Sequence, residues 1–314
     1  MRIPIVPIVV AAAIIAGGIV AFRGSSDDAP QIAVGESSGM ESSVTTPAPV
    51  IDFDVIRISR EGSGVIAGDS EPGAFIDVLV DGVSIGKARA SETGAWELVF
   101  AAPLQPGARA LSLTATLPGG LEAQSRNIIV VAVPPAKTDG PTDDDGAIAV
   151  LTPRDGSAAS RVLQRPGALR PKVEVGLDII DRLPSGVVVV SGHSAPSAQV
   201  RLSLDGTAVG TASADDKGRW SLALEKAPGI GGHILRMDQI GVEDSVALRV
   251  EQVFDLTATL RMSPSDGKVA VVRDMDVWHV VRALPSGGTL YTQIFQLDKG
   301  QERHPVTNAP VVLR

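Results

Sequence analysis

The chain has 314 residues, a formal net charge of −8 and no cysteine. That charge excludes attraction to nucleic-acid phosphate or to an anionic membrane face. The missing cysteine excludes disulfides, thiolate metal sites, cysteine nucleophiles and a lipid-modified cysteine. Glycine (33) and proline (22) make up about 18% of the residues, which favours a turn-rich β protein over a helical one.

The N-terminal run "IPIVPIVVAAAIIAGGIVAF", Ile3 to Phe22, carries no charge and is long enough to cross a membrane as a helix. Arg2 precedes it and Arg23 follows. A signal peptide would show a small-x-small cleavage site after the apolar core. The candidates "AAA" and "AGG" lie inside the run, and "VAFRG" is a poor site. Residues 1–23 are therefore expected to be an uncleaved transmembrane anchor in the inner membrane, single-pass, with the bulk of the chain periplasmic. A cleaved signal peptide is the other reading. Residues 24–50 are rich in Ser, Thr, Pro, Gly and acidic side chains, a composition that reads as a disordered tether. A similar shift at "PPAKTDGPTDDDG", Pro134 to Gly146, reads as the start of a linker over 135–171. Its "DDDG" lacks the alternating ligands and downstream Glu of a calcium loop.

Two stretches repeat at an offset of 124 residues. Ala67–Phe100 and Ser191–Leu224 align without a gap, with 12 of 34 positions identical. Among them are Gly68/Gly192, Asp81/Asp205, Gly94/Gly218 and Trp96/Trp220. In "QVRLSL" Val200, Leu202 and Leu204 alternate with polar residues, the period of a strand with one buried face. Ile76, Val78 and Val80 are the same inward set in the first copy. Each strand then meets Asp-Gly, which suits a tight hairpin. Trp96 and Trp220 head the next inward-facing strand and are expected in the core rather than as sugar platforms. The register extends to Leu111 and Leu113, matched by Leu235 and Met237.

Short strands between turn signals predict two β-sandwiches, over 51–134 and 172–256. "GDSEPGAFIDVLVDGVSIGKARASETGAW" and "GHSAPSAQVRLSLDGTAVGTASADDKGRW" resemble the bacterial immunoglobulin-like modules of exported envelope proteins, which implies stackable spacers.

The segment "VVRDMDVWHVVRALPSGGTLYTQIFQLDKGQERHPVTNAPVVLR", Val271 to Arg314, resembles a LysM module. The resemblance implies a small βααβ unit over 268–314 that binds the N-acetylglucosamine chains of peptidoglycan. "DMDVW" stands where the family has Gly-Asp-x-Leu-Trp, keeping Trp278 but losing the Gly-Asp pair. Tyr291, Ile294 and Phe295 fall at helical spacing. Asp298 replaces the expected Asn, and "PVV", Pro310 to Val312, the closing Pro-Gly-Gln. The implied glycan-binding loops are Asp274, Met275, Asp276 and Val277, then Asp298 and Lys299. Because both depart from the family pattern, the implied binding is weak.

The expected fold class is thus mainly β: an N-terminal transmembrane helix, two immunoglobulin-like sandwiches and a C-terminal α+β LysM-like module. The order resembles that of LysM peptidoglycan-binding proteins of bacterial envelopes. The sequence carries no GxSxG, HExxH, Walker or GxGxxG motif, and the four histidines do not fall at a metal-ligand spacing. The reading is therefore non-enzymatic, with no cofactor, metal or nucleic acid. A protein–protein scaffold or adhesin whose LysM-like module no longer binds glycan is the alternative.

Overall fold

A computed structural model describes residues 51–134, 146–166, 175–257, 262, 264, 269–274 and 277–295, and the backbone of 301–304. The chain divides into two units, Met1–Thr46 and Pro47–Arg314, and every described residue belongs to the second. The anchor over 1–23 and the tether over 24–50 lie outside the described residues. Among the described residues no helix is long and apolar enough to cross a membrane.

The first copy contributes β1 (Asp52–Ile58), β2 (Gly64–Asp69), β3 (Phe75–Val80), β4 (Val83–Arg89), β5 (Ala95–Phe100), β6 (Gly107–Thr116), β7 (Glu122–Gln124) and β8 (Asn127–Val133). Two further strands follow, β9 (Ile148–Pro153) and β10 (Arg161–Gln164). The second copy contributes β11 (Gly176–Arg182), β12 (Val188–His193), β13 (Gln199–Leu204), β14 (Thr207–Ser213), β15 (Arg219–Leu224), β16 (Gly232–Ile240) and β17 (Val246–Asp255). The chain then adds β18 (Val269–Asp274), β19 (Val277–Ala283), β20 (Thr289–Phe295) and β21 (Gln301–His304).

These strands form four sheets. Sheet A has the order β1-β2-β5, and sheet B β10-β9-β8-β6-β3-β4 with β7 on β6. Sheet C has the order β15-β12-β11-β20-β19-β18, and sheet D β14-β13-β16-β17-β21. Each lies against the next, so the described part of the second unit is a stack A, B, C, D with three apolar layers between. The A–B layer holds Phe53, Ile56, Ile66, Trp96, Ile76, Val78, Leu111 and Leu113. The C–D layer holds Leu177, Val190, Trp220, Val200, Leu202, Leu235 and Met237. The inward sets of the repeat are as the alternation predicts, and both tryptophans are buried at 3% exposure.

The Asp-Gly hairpins form with positive φ at both turn residues, Asp81 and Gly82 at 50° and 84°, Asp205 and Gly206 at 48° and 80°. The aspartates do more than turn the chain. Asp81 Oδ1 accepts from the Ala110 amide at 2.9 Å, and Asp205 Oδ1 from the Ile234 amide at 2.9 Å. Each thus ties its hairpin to the adjacent strand. Gly68 and Gly192 answer to the tryptophans. A Cβ at Gly192 would stand 2.4 Å from the Trp220 ring and 2.0 Å from the Gly176 carbonyl, and Gly68 is crowded in the same way.

The middle layer was not foreseen. Ile128, Val130 and Ala132 of β8 and Ile148 and Val150 of β9 meet Ile179, Trp278, Val280 and Ile294 of sheet C. Strand β8, "NIIVVAV", is buried on both faces, with Ile129, Val131 and Val133 turned into the A–B layer. Two expectations change. Of the linker placed over 135–171, residues 148–153 and 161–164 are strands of sheet B, because the bare edge of β8 is filled by β9. The C-terminal βααβ expectation is also corrected. Its described residues are strands, β18 to β21, with no α-helix among them. The β11 edge needs a pairing strand, and the outer face of β8 and β9 needs an apolar cover. Extending sheet C by β20, β19 and β18 supplies both. In the first copy the equivalent edge is held by a side chain: Gln164 pairs with both the amide and the carbonyl of Ile58, at 2.7 Å each.

Candidate functional site

The six loop residues implied by the LysM resemblance do not come together as a site. Asp274 and Val277 are a cross-strand pair closing the β18–β19 hairpin. Asp274 is exposed, while Val277 packs against the C–D layer. Met275, Asp276, Asp298 and Lys299 lie outside the described residues. Trp278, Ile294 and Phe295, which a βααβ unit would bury in one small core, are buried in two layers: the first two face sheet B, and Phe295 faces sheet D. Adjacent strand residues point to opposite faces, so Ile294 and Phe295 cannot share one small core.

What the fold builds instead is a polar seam between sheets B and C. Asp181 of β11 is fully buried. It accepts from the Ser160 amide at 2.5 Å, the Ser160 hydroxyl at 3.0 Å and the Thr292 hydroxyl at 2.5 Å. Burial pushes its carboxyl up to about 6 despite these donors and the attraction of Arg282. Arg282 of β19 is buried beside it and donates across the seam to the Arg154 carbonyl at 2.9 Å and to the Pro153 carbonyl. Burial, reinforced by Arg154, lowers its guanidinium to about 10. The end of β9 is thus capped by a side chain from the other sandwich.

Two clefts open on this seam. One, of about 490 Å³, lies between Arg126, Arg154, Asp155 and Ser157 on the first sandwich and Pro285 and Ser286 in the β19–β20 turn. The other, of about 370 Å³, lies beside β10, over the faces of β11, β12 and β15 that turn toward sheet B. Its walls include Arg161, Asp178, Ser191 and Arg219. Asp178 accepts from Arg165 at 2.9 Å and shares a hydrogen bond with His193 Nδ1 at 2.8 Å. Burial alone would raise the Asp178 carboxyl, but Arg165 and His193 hold it below the usual carboxylate range. Among the described residues no group of three or more His, Asp or Glu is placed to hold a metal ion. A sequence signal for the seam existed: the unbroken apolar run in β8 marks a strand covered on both faces. For the clefts no such signal exists, because their residues come from strands distant in sequence.

Comparison with known proteins gives no match, either to a protein-family model or to a curated protein.

Proposed function

We propose that the protein is a non-catalytic scaffold of a bacterial cell envelope. Ile3–Phe22 anchors it in the inner membrane, and a stack of two immunoglobulin-like sandwiches stands in the periplasm. The observation supporting this reading is the fate of the LysM-like segment. Its strands β18 to β20 are the cover of the B–C layer, so the segment is spent on joining the sandwiches rather than hung out as a free module. Work is then done by the outer surface of the stack. Peptidoglycan, the partner that the LysM resemblance implies, is bound weakly and from the exposed Asp274 end of β18. A site built on hydrogen bonds loses affinity when its donors and acceptors are mismatched, and the Gly-Asp pair and the Asn are both replaced.

The test is sedimentation of the purified protein with insoluble peptidoglycan, paired with in-cell crosslinking. A scaffold leaves most of the protein in the supernatant and crosslinks to a defined envelope protein. Firm retention on peptidoglycan without a protein crosslink would overturn the scaffold reading in favour of a wall-binding one.

A further inference from the structure

Sheet C is wider than its cover. Strand β10 lies over β11 and β6 over β18, so β12 and β15 project past the edge of sheet B. The projecting face turns polar there, with Ser191 opposite Ser221 and His193 opposite Arg219 across the two strands. Ser191, Ser221 and Arg219, together with Arg161 from β10, bound the smaller cleft.

Charge there is unevenly satisfied. Asp215 is taken by Arg219 at 2.6 Å and by the Lys217 and Arg219 amides at 2.9 and 2.8 Å. Asp178 is taken by Arg165 and His193. Arg161 is half-buried, and its guanidinium has no hydrogen bond or ion pair among the described residues. Asp54, Asp52 and Asp215 attract it without touching it, whereas burial and the neighbouring Arg219 push its guanidinium down. Ser191 Oγ is buried and likewise has no hydrogen-bond partner. A guanidinium and a hydroxyl, both unmatched, therefore border one cavity of about 370 Å³. That is the low end of the ~300–1,000 Å³ usual for small-molecule sites and fits about one sugar ring.

We propose that this cleft binds an acidic sugar, its carboxylate on Arg161 and its hydroxyls on Ser191 and Ser221. The guanidinium fork matches a carboxylate in geometry as well as in charge. Half-burial strengthens that attraction by lowering the local dielectric. The inference uses only the groups in the cleft and does not depend on the envelope reading.

The test is calorimetric titration of the full-length protein with glucuronate, glucose and acetate. Glucuronate is expected to bind saturably, with glucose (no carboxylate) and acetate (no ring hydroxyls) each weaker by about ten-fold or more, some 1.4 kcal/mol. Arg161→Gln should weaken glucuronate by a similar factor and Arg161→Lys should restore part of it. Ser191→Ala, which removes only an unpaired hydroxyl, should weaken binding while leaving the melting temperature unchanged, and so decides the matter if Arg161→Gln fails to fold. The proposal is overturned if glucuronate does not bind, if glucose or acetate binds as well, or if Ser191→Ala leaves the affinity intact.

Discussion

Trp96 and Trp220 hold equivalent places, yet their indole N–H groups differ. Trp220 Nε1 donates to the His193 carbonyl at 2.9 Å, while Trp96 Nε1 is buried with no partner. Truncating either to Ala should cost about 3–5 kcal/mol, the range for a buried aromatic. The conservative change separates them. Trp220→Phe leaves the His193 carbonyl unmatched and should cost about 1 kcal/mol more than Trp96→Phe, which removes an unsatisfied donor. Denaturant melts of the two variants check this; equal losses would mean that the hydrogen bond contributes nothing. Asp181 makes the second residue-scale prediction. Its folded value of about 6 stands above that of an unfolded aspartate, ~3.9, so between them the folded state holds the extra proton. Stability should therefore fall as the pH rises from about 4 to about 6, by roughly 2–3 kcal/mol at most. Asp181→Asn should flatten that part of the profile, and parallel curves for the two proteins would refute the assignment.

At the level of elements, legibility followed solvent. Strands β3, β6, β13 and β16 keep one wet edge or face, so their apolar residues alternate and the repeat could be read directly. Strand β20 could not. Leu290, Thr292, Gln293, Ile294 and Phe295 are all buried, on both faces, which erases the period of two. The spacing of Tyr291, Ile294 and Phe295 that is left imitates a helical turn. Strand β9 failed for the same reason, its "IAVLT" being covered on both sides and preceded by a linker-like stretch. The site was less legible still, since Asp181, Ser160 and Thr292 are brought together from three separate parts of the chain. Deleting 269–314 tests the reassignment. A detachable module would leave the sandwiches intact, whereas loss of β18–β20 should expose Val130, Ile148 and Ile179 and drive aggregation of the truncated protein, measured by light scattering. Trp278→Ala, which hollows the same layer from within, should cost about 3–5 kcal/mol.

At the scale of the paired sandwiches, the layer they share joins an apolar patch around Val130, Ile179 and Trp278 to the buried polar bonds of Asp181 and Arg282, and the two should melt as one. A single calorimetric transition with matching calorimetric and van't Hoff enthalpies is expected for the native protein. Val130→Asp places an uncompensated charge in the B–C layer without touching either sandwich interior. It should uncouple the melt into two transitions. A native melt that is already two-step would mean that the layer carries little cooperativity.

The bulge in β11 between Leu177 and Ile179 has its twin in β1 between Phe53 and Val55. The residues at matched positions nonetheless live in different solvents. Ile179 is 1% exposed and Val55 38%, and the buried Asp181 answers to the exposed Arg57. On the outer face of sheet D the half-buried Arg249 and Arg236 cover a buried Asp238, at 2.6 Å and 3.5 Å. Outside the two sandwich interiors, only the faces of sheets B and C that meet each other are dry, so a third unit of this kind finds no matching face at either end. Duplication here gives a closed pair with a fixed polarity rather than the first step of a fibre: the order of the two copies is part of the fold, and exchanging them would bury Arg57 and Asp54 where Asp181 and Asp178 now have their partners.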